Sequence, residues 1–189
     1  MRFIHLADVH LADNSTFDRS LGHIIREKTW KSFEQIFIDN KDTDFALIAG
    51  DLFERSFFSS KDFKNLFRIF ENYGKDIYYV TGNHDYFDDF NTFFLNSKPN
   101  NLHIFTEDSL SLFEKDGIRV YGLSYKDRIY KKDFDYDISL DKDFFNILLA
   151  HGDLSLSKTN YLDLDANKIN QIGFDYVALG HIHKASNIY

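Results

Sequence analysis

The 189-residue sequence contains no cysteine, so disulfides, thiolate metal sites and cysteine nucleophiles are all excluded. It also lacks a basic N-terminal stretch followed by an apolar segment, and no apolar run approaches the length of a membrane span. From these absences we expect a cytoplasmic protein that has no membrane partner.

Basic residues are comparatively scarce, with 22 Lys and Arg against 30 Asp and Glu and a formal net charge of −8. A protein that binds nucleic acid over a broad surface normally carries excess positive charge. The acidic balance therefore argues against such a surface. It does not exclude an anionic substrate, because bound metal ions can reverse the local charge of a cleft.

Apolar residues are abundant, since 43% of the chain is hydrophobic and 17% is aromatic. A chain of this length can bury about 70% of the surface that its unfolded state exposes. We therefore expect residues 1–189 to form one packed domain, and not a disordered chain.

Short apolar segments alternate with longer amphipathic segments along the chain. The predicted buried strands are Phe3–Ala7, Phe45–Ala49, Ile77–Thr81, Phe144–Ala150 and Phe174–Leu179. The predicted helices are Asp18–Asn40, Lys61–Tyr73 and a short one near Asp165–Ile172. Near-continuous apolar strands that alternate with helices are typical of βαβ units with parallel pairing.

The pattern changes after Pro99, the only proline. Three short segments, joined by turn residues such as Asp116-Gly117, are predicted to form antiparallel hairpins. They are Leu102–Phe105, Leu110–Phe113 and Arg119–Leu123. Together the two parts of the chain predict an α/β fold in which a β-sandwich of two mixed sheets is flanked by helices.

Five polar clusters each follow a predicted strand. They are Asp8-Val9-His10, Gly50-Asp51, Gly82-Asn83-His84-Asp85, His151-Gly152 and Gly180-His181-Ile182-His183. Loops at the carboxyl ends of strands are where open α/β folds build their sites. Glycine before Asp51, Asn83 and His181 is predicted to let the chain turn sharply as it leaves the strand.

The residue types in these clusters indicate metal chemistry. Asp, His and Asn without thiolate form a mixed oxygen and nitrogen set, which suits Mn²⁺, Fe or Zn²⁺ and not Ca²⁺. Seven such groups exceed the needs of one ion but suit two ions that share a carboxylate. A single Asp-x-His or Asn-His-Asp is more often a turn or a helix cap than a ligand pair, so the prediction depends on the whole set. His5 stands apart from it, on the apolar face of the first strand, where we expect a hydrogen-bonded core histidine.

This ordered set of motifs, from Asp8 to His183, resembles that of the calcineurin-like metallophosphoesterase superfamily. The resemblance implies a β-sandwich flanked by helices and the hydrolysis of phosphate esters by a water activated between two divalent ions, with Mn²⁺ expected and Fe or Zn²⁺ as alternatives. It implies that the first ion is held by Asp8, His10 and His183. It implies that the second is held by Asn83, His151 and His181, with Asp51 bridging the two. His84 would then be a catalytic residue that is not a ligand, and it would stabilise the transition state or protonate the leaving oxygen.

Finer features resemble the SbcD-like branch of bacterial DNA-repair exonucleases. These features are Phe3–Leu11, Gly50–Phe53, Tyr121–Tyr125 and Phe174–Lys184. The branch implies a DNA substrate and a partner ATPase. Its members continue beyond the last Gly-His-x-His with further strands and a DNA-contacting cap, so we expect residues 1–189 to be a metallophosphoesterase catalytic domain that lacks C-terminal strands, either as the core of a longer protein or as a short relative.

Two other functions remain open from the sequence. One is a phosphodiesterase or phosphatase that acts on nucleotides or other small phosphate esters. The other is a non-catalytic protein-binding scaffold on the same fold, although such modules usually lose metal residues and this chain keeps all seven.

The basic segment from Lys126 to Lys132 can also be interpreted in two ways. Lys126, Arg128, Lys131 and Lys132, interleaved with Tyr125 and Tyr130, could grip a phosphate backbone and stack on bases. A solvated loop is the commoner explanation of such a segment.

Overall fold

Two four-stranded sheets form the framework of the protein. The computed structural model describes residues 1–13, 19–88, 92–154 and 159–183. The first sheet contains β1 (Phe3–Leu6), β2 (Phe45–Ala49), β3 (Asp76–Val80) and β4 (Leu102–Ile104), in that order. The second contains β5 (Ser111–Lys115), β6 (Ile118–Gly122), β7 (Phe145–His151) and β8 (Tyr176–Gly180), also in order. The helices are α1 (Arg19–Asp39), α2 (Ser60–Tyr73), α3 (Thr92–Ser97) and α4 (Ala166–Ile172), with a 3₁₀ turn at Arg55–Phe57.

The predicted α/β fold of two sheets flanked by helices is therefore confirmed. Every pairing in the first sheet is parallel. In the second sheet β5 and β6 form an antiparallel hairpin around Asp116-Gly117, whereas β6, β7 and β8 pair in parallel. Both turn residues have positive φ, 50° and 79°, as tight hairpin turns require.

One predicted pairing is wrong. The segment Leu102–Phe105 was expected in an antiparallel hairpin, but β4 pairs in parallel with β3. A parallel neighbour needs a crossover of a dozen residues or more, and residues 81–101, which include α3, provide it. The six-residue α3 was not predicted, because it is too short to show a helical period.

Two positions of the sequence-based predictions lie outside the described residues. They are Asp18, where the first helix was expected to begin, and Lys184, at the end of the last strand motif.

Strand β2 is buried along its whole length, which explains its uninterrupted apolar sequence. Ala46 and Ile48 face the helical layer and pack with side chains such as Phe70. Leu47 faces the second sheet and packs with side chains such as Ile147. A third apolar cluster, built around Leu148 and Leu162, covers the outer face of the second sheet. The sheets therefore pack face to face, with helices outside the first one.

His5 lies between the two sheets, where its Nδ1 is 3.1 Å from the hydroxyl oxygen of Tyr176. This contact confirms the prediction of a hydrogen-bonded core histidine. None of the helices in residues 1–13, 19–88, 92–154 and 159–183 combines the length and apolar character needed to cross a membrane.

Asp76 ties the two sheets together at the amino end of β3. Its carboxylate oxygens lie 2.7 Å from Nε2 of His103 on β4 and 2.6 Å from Nζ of Lys115 on β5. Partial burial by itself would raise the pKa of Asp76. The hydrogen bonds from Lys115 and His103 outweigh that effect, and the pKa lies below its ordinary value.

We expect Asp76→Asn to weaken the pH dependence of stability in acid. A carboxyl group whose pKa is lowered on folding stabilises the fold above its unfolded pKa of about 3.9, and that contribution is lost as the pH falls through the folded pKa. Urea unfolding from about pH 7 to about pH 3 should show a free-energy difference between wild type and variant that shrinks below about pH 4. A difference that stays constant over this range would contradict the assignment.

Candidate metal centre

The five polar clusters meet at one edge of the sandwich, at the carboxyl ends of β1, β2, β3, β7 and β8. The loops after β1 and β2 run side by side, since the Leu11 amide donates to the Leu52 carbonyl at 2.9 Å. The loop after β8 joins them through the His181 amide, which donates to both carboxylate oxygens of Asp8 at 3.1 and 3.0 Å. The parallel ends of both sheets thus bring distant segments of the chain together.

Four of the predicted ligand residues adopt a left-handed backbone conformation. Their φ angles are 54° at Asp8, 49° at His10, 50° at Asp51 and 95° at His181. Residues other than glycine rarely adopt such angles, which cost roughly 1–3 kcal/mol each and concentrate at functional sites. Backbone hydrogen bonds hold the strained loop, including His10 N to Asp51 O at 3.0 Å.

The side chains form three overlapping groups whose ligand atoms lie within 4.8 Å of one another. The groups are Asp8, His10 and His183; His10, Asp51 and His84; and Asp8, Asp51 and His151. Asp51 belongs to two of them and connects one side of the site to the other. The first group contains the three residues that the family resemblance implies for the first ion.

The distances between these atoms fit metal coordination. Nε2 of His183 lies 3.6 Å from Oδ1 of Asp8, and Oδ2 of Asp51 lies 3.2 Å from Nε2 of His151 and 3.9 Å from Nε2 of His10. With metal–ligand bonds of about 2.1 Å, tetrahedral ligand atoms are about 3.4 Å apart. Nε2 of His10 is also buried without a hydrogen-bond partner among the described residues, and a bound cation would satisfy it.

His151 is fully buried at the centre of the site and is held from both sides. Its Nδ1 lies 2.9 Å from the Ala49 carbonyl oxygen, which can only accept, so Nδ1 carries a proton. Its Nε2 faces Oδ1 of Asn83 at 3.1 Å as well as the Asp51 carboxylate. Since both neighbours are oxygens, Nε2 must carry a second proton or bind a cation.

The close approach of these buried groups shifts the pKa values of His151, Asp51 and His10. Burial by itself would lower the pKa of His151, but the hydrogen bond and negative charge of Asp51 raise it above its ordinary value. Burial by itself would raise the pKa of Asp51, yet the hydrogen bond and charge of His151 lower it. Burial lowers the pKa of His10, as do the neighbouring His84 and His183, and the neutral imidazole is the form that binds metal.

Asn83 and His181 lie beside His151, on the side of the site that the sequence assigns to the second ion. The rings of His181 and His151 have centroids 5.2 Å apart. His181 is not a member of the three close groups found among the described residues. The structure thus brings all seven predicted ligands to one pocket, with His181 at its periphery.

The glycines of the motifs act differently from the prediction. Only Gly50 has a positive φ, of 81°. At Gly82 a Cβ would lie 2.3 Å from the Asp51 carboxylate, and at Gly180 it would lie 2.1 Å from the Ala49 carbonyl oxygen. These two glycines are therefore needed for close packing around the ligands. Their backbone conformations are ones that other residues can also adopt.

Asp85 connects the loops after β2 and β3 through hydrogen bonds to their backbone amides. Its fully buried carboxylate accepts hydrogen bonds from the amides of Asp51, Leu52 and Gly82 at 3.2, 2.6 and 2.6 Å and from the Tyr79 hydroxyl at 2.5 Å. Burial raises the pKa of Asp85 to about 6, with the charge of Asp51 acting in the same direction. This carboxylate sets the distance between the loops that carry Asp51 and Asn83.

His84 has a partner that sequence reasoning missed. Its Nδ1 lies 2.6 Å from Oε2 of Glu54, its backbone amide donates to Asp51 at 2.8 Å, and its ring packs edge-on against His10 with centroids 4.8 Å apart. Glu54 therefore fixes the ring orientation and leaves Nε2 for the pocket. The only sequence signal was its place three residues after Asp51, in a loop already marked by a ligand.

The basic segment after β6 is a surface loop and not a stacking platform. Tyr125 is fully buried and Tyr130 is nearly so, so neither ring can stack on a base. The ammonium groups of Lys126, Lys131 and Lys132 are paired with acidic residues. Those residues are Glu107, Asp127 and Asp108, respectively.

Comparison with known proteins identifies the fold family. The family model for calcineurin-like phosphoesterases matches residues 1–185. The chain belongs to the calcineurin-like phosphoesterase family. Membership and the cluster of candidate ligands together support a metal-dependent phosphoesterase.

A relative of this phosphoesterase is the uncharacterized metallophosphoesterase YhaO of Bacillus subtilis (strain 168). The two are 34% identical over an alignment 207 residues long, and the match covers 97% of this chain and 49% of the relative. The phosphoesterase chain thus spans about half the length of this curated relative. A solved structure, that of the protein of unknown function AQ665 from Aquifex aeolicus, is 21% identical with a TM-score of 0.32 and covers 66% of this chain and 60% of that one.

We expect Asp51→Asn to weaken metal binding to the phosphoesterase more than Asn83→Ala does. Asp51 faces both sides of the pocket, so the substitution removes a full charge from both, whereas Asn83 is neutral and lies on one side. Titration calorimetry with Mn²⁺ should show a loss for Asp51→Asn that exceeds the roughly 100-fold known for outer-shell changes. Equal affinities of wild type and Asp51→Asn would contradict the bridging assignment.

Proposed function

We propose that the protein is a two-metal phosphodiester hydrolase, the catalytic domain of a DNA-repair nuclease of the SbcD-like branch. The observation that carries this proposal is the Asp51 carboxylate, which belongs to two close ligand groups, one with His10 and His84 and one with Asp8 and His151. Asp8, His10 and His183 would hold one ion, and Asn83, His151 and His181 the other. We propose Mn²⁺ for both ions, because the mixed oxygen and nitrogen donor set suits it, with Fe and Zn²⁺ as alternatives.

Two bound divalent ions would supply an activated water nucleophile and neutralise the charge of the phosphate oxygens. The carboxylates of Asp8 and Asp51 offset part of the ionic charge, so the loaded pocket stays positive and attracts a phosphate despite the acidic protein. Asp51 would bridge the two ions, and Asp85 holds in place the loop that carries Asp51.

His84 has the geometry of a proton donor to the leaving oxygen. The Glu54 carboxylate accepts from Nδ1–H and orients the ring, so that Nε2 is the nitrogen left for the leaving oxygen. Attack by water on one side of the phosphorus and protonation of the leaving oxygen by His84 on the other need no covalent intermediate on the protein.

Two alternatives remain. A phosphodiesterase or phosphatase for small esters would use the same chemistry without a DNA-binding surface. A non-catalytic scaffold would not need the strained ligand loops, and the retention of all seven ligands with His84 disfavours it.

The paired lysines bear on the substrate of residues 1–189. Duplex DNA binding requires several free cationic contacts to the phosphate backbone, and its affinity falls steeply with salt. Lys126, Lys131 and Lys132 each lie beside an acidic residue, whose negative charge offsets their attraction for a phosphate backbone. We therefore propose that this chain alone cleaves small phosphodiesters better than DNA ends, and that further protein segments or a partner ATPase supply the DNA grip.

We expect His84→Gln to retain both metal ions while kcat falls by roughly 100-fold or more, the scale of general acid–base assistance. Glu54→Gln should cause a smaller loss, because His84 remains but its ring is less firmly oriented. Steady-state kinetics with an aryl phosphodiester, combined with metal titration of the same samples, measures both effects. If His84→Gln loses a metal ion, His84 is a ligand and not the proton donor.

The substrate proposal is tested by measuring cleavage of an aryl phosphodiester and of a DNA duplex end at about 150 mM salt, where charges beyond roughly 8 Å are screened. We expect Mn²⁺-dependent hydrolysis of the small ester and weak, salt-sensitive action on DNA. Asp51→Asn serves as the control for contaminating nucleases. Efficient exonuclease action by the isolated chain would show that its DNA-binding surface lies elsewhere in these residues.

A further inference from the structure

His181 differs from His151, the buried ligand beside it, in what holds its ring. Metal-binding histidines almost always donate their second ring nitrogen to an oxygen, which fixes the ring orientation. His151 follows this rule through Ala49. Among the described residues no hydrogen bond reaches either ring nitrogen of His181, although its backbone amide is tied to Asp8. Another contact must set the orientation of this ring.

That contact is made by Tyr161. The rings of Tyr161 and His181 have centroids 4.1 Å apart, the closest approach that either ring makes to another aromatic ring in the described part of the chain. Their planes are inclined by 47°. The opposite neighbour of His181 is His151, with centroids 5.2 Å apart, so the His181 ring lies between two others.

The segment that carries Tyr161 is firmly anchored next to the metal ligands. The Tyr161 amide donates to the Thr159 hydroxyl at 3.1 Å, and the adjoining Leu162 amide donates to the buried Tyr125 hydroxyl at 2.9 Å. The Leu162 carbonyl accepts from the amide of Asp153, two residues after His151, at 2.9 Å.

Gly152 makes this anchoring possible. A Cβ at this position would lie 2.4 Å from the Leu162 carbonyl oxygen, so only glycine lets the two segments approach so closely. The backbone on both sides of the contact is therefore fixed, and the Tyr161 ring has a defined place against His181.

We propose that Tyr161 is a positioning residue for His181, and that its ring replaces the missing hydrogen bond and sets the affinity of the second metal ion. This inference rests on the proposed function only in taking His181 as a ligand of that ion. Because the aromatic ring makes the contact, Tyr161→Phe preserves the interaction. Tyr161→Leu keeps apolar bulk but removes the ring.

The test compares wild type, Tyr161→Phe and Tyr161→Leu by calorimetric titration with Mn²⁺. We expect two ions to bind to wild type and to Tyr161→Phe with equal affinities. In Tyr161→Leu the affinity for the second ion should fall by roughly tenfold, the lower end of the cost of losing an outer-shell partner, while the first ion is unaffected. Unchanged binding in Tyr161→Leu, or an equal loss in Tyr161→Phe, would overturn the proposal.

A second measurement does not depend on metal. The ring proton signals of His181 in the NMR spectrum of the metal-free protein should be shifted by the aromatic ring in wild type and Tyr161→Phe, but not in Tyr161→Leu. Absence of that shift in wild type would overturn the proposal even if all variants fold. If Tyr161→Leu instead binds both ions normally and only raises KM for the ester, Tyr161 contacts the substrate and the proposal is wrong. Normal metal titrations with no hydrolysis of any ester would refute the proposed function while leaving the role of Tyr161 intact.

Discussion

The hydrogen bond between His151 Nδ1 and the Ala49 carbonyl is the interaction on which the site depends. Ala49 ends β2 in the first sheet and His151 ends β7 in the second, so the bond joins the sheets where their strands stop. It also determines which nitrogen of His151 faces the pocket. Together with the bonds from the His181 amide to Asp8, it fixes the ligands of the first sheet relative to those of the second.

A second constraint acts within the first sheet. Asp85 gathers three backbone amides from the loops after β2 and β3 and anchors them to the core through Tyr79. The Asp85 carboxylate therefore fixes the backbone of the two ligand loops. Asp51 donates its amide to Asp85, and its own carboxylate faces the pocket. The strained φ angles at Asp8, His10 and Asp51 are tolerated because such contacts surround them.

Much of the fold and the site could be predicted because each depends on local signals. An apolar run such as Phe45–Ala49 indicates a strand buried on both faces, and ligand-type residues directly after such strands indicate the common edge. Other features depend on partners that are distant in the sequence. The direction of β4 follows from a crossover through a helix without a clear period, the burial of Tyr125 follows from the packing of a later loop, and Glu54 gains its role only from its distance to His84. The packing role of Gly82 and Gly180 could not be predicted either, because the atoms next to them belong to segments that are distant in the sequence.

The bond from the His181 amide to the Asp8 carboxylate spans 173 residues of sequence. Contacts between such distant positions are the slowest to form, because the entropy of closing a long loop is lost before the contact stabilises anything. We therefore expect this part of the pocket to form late in folding. An ion bound by Asp8 and His183 would link the loops after β1 and β8, and it would thereby stabilise the folded sandwich against unfolding.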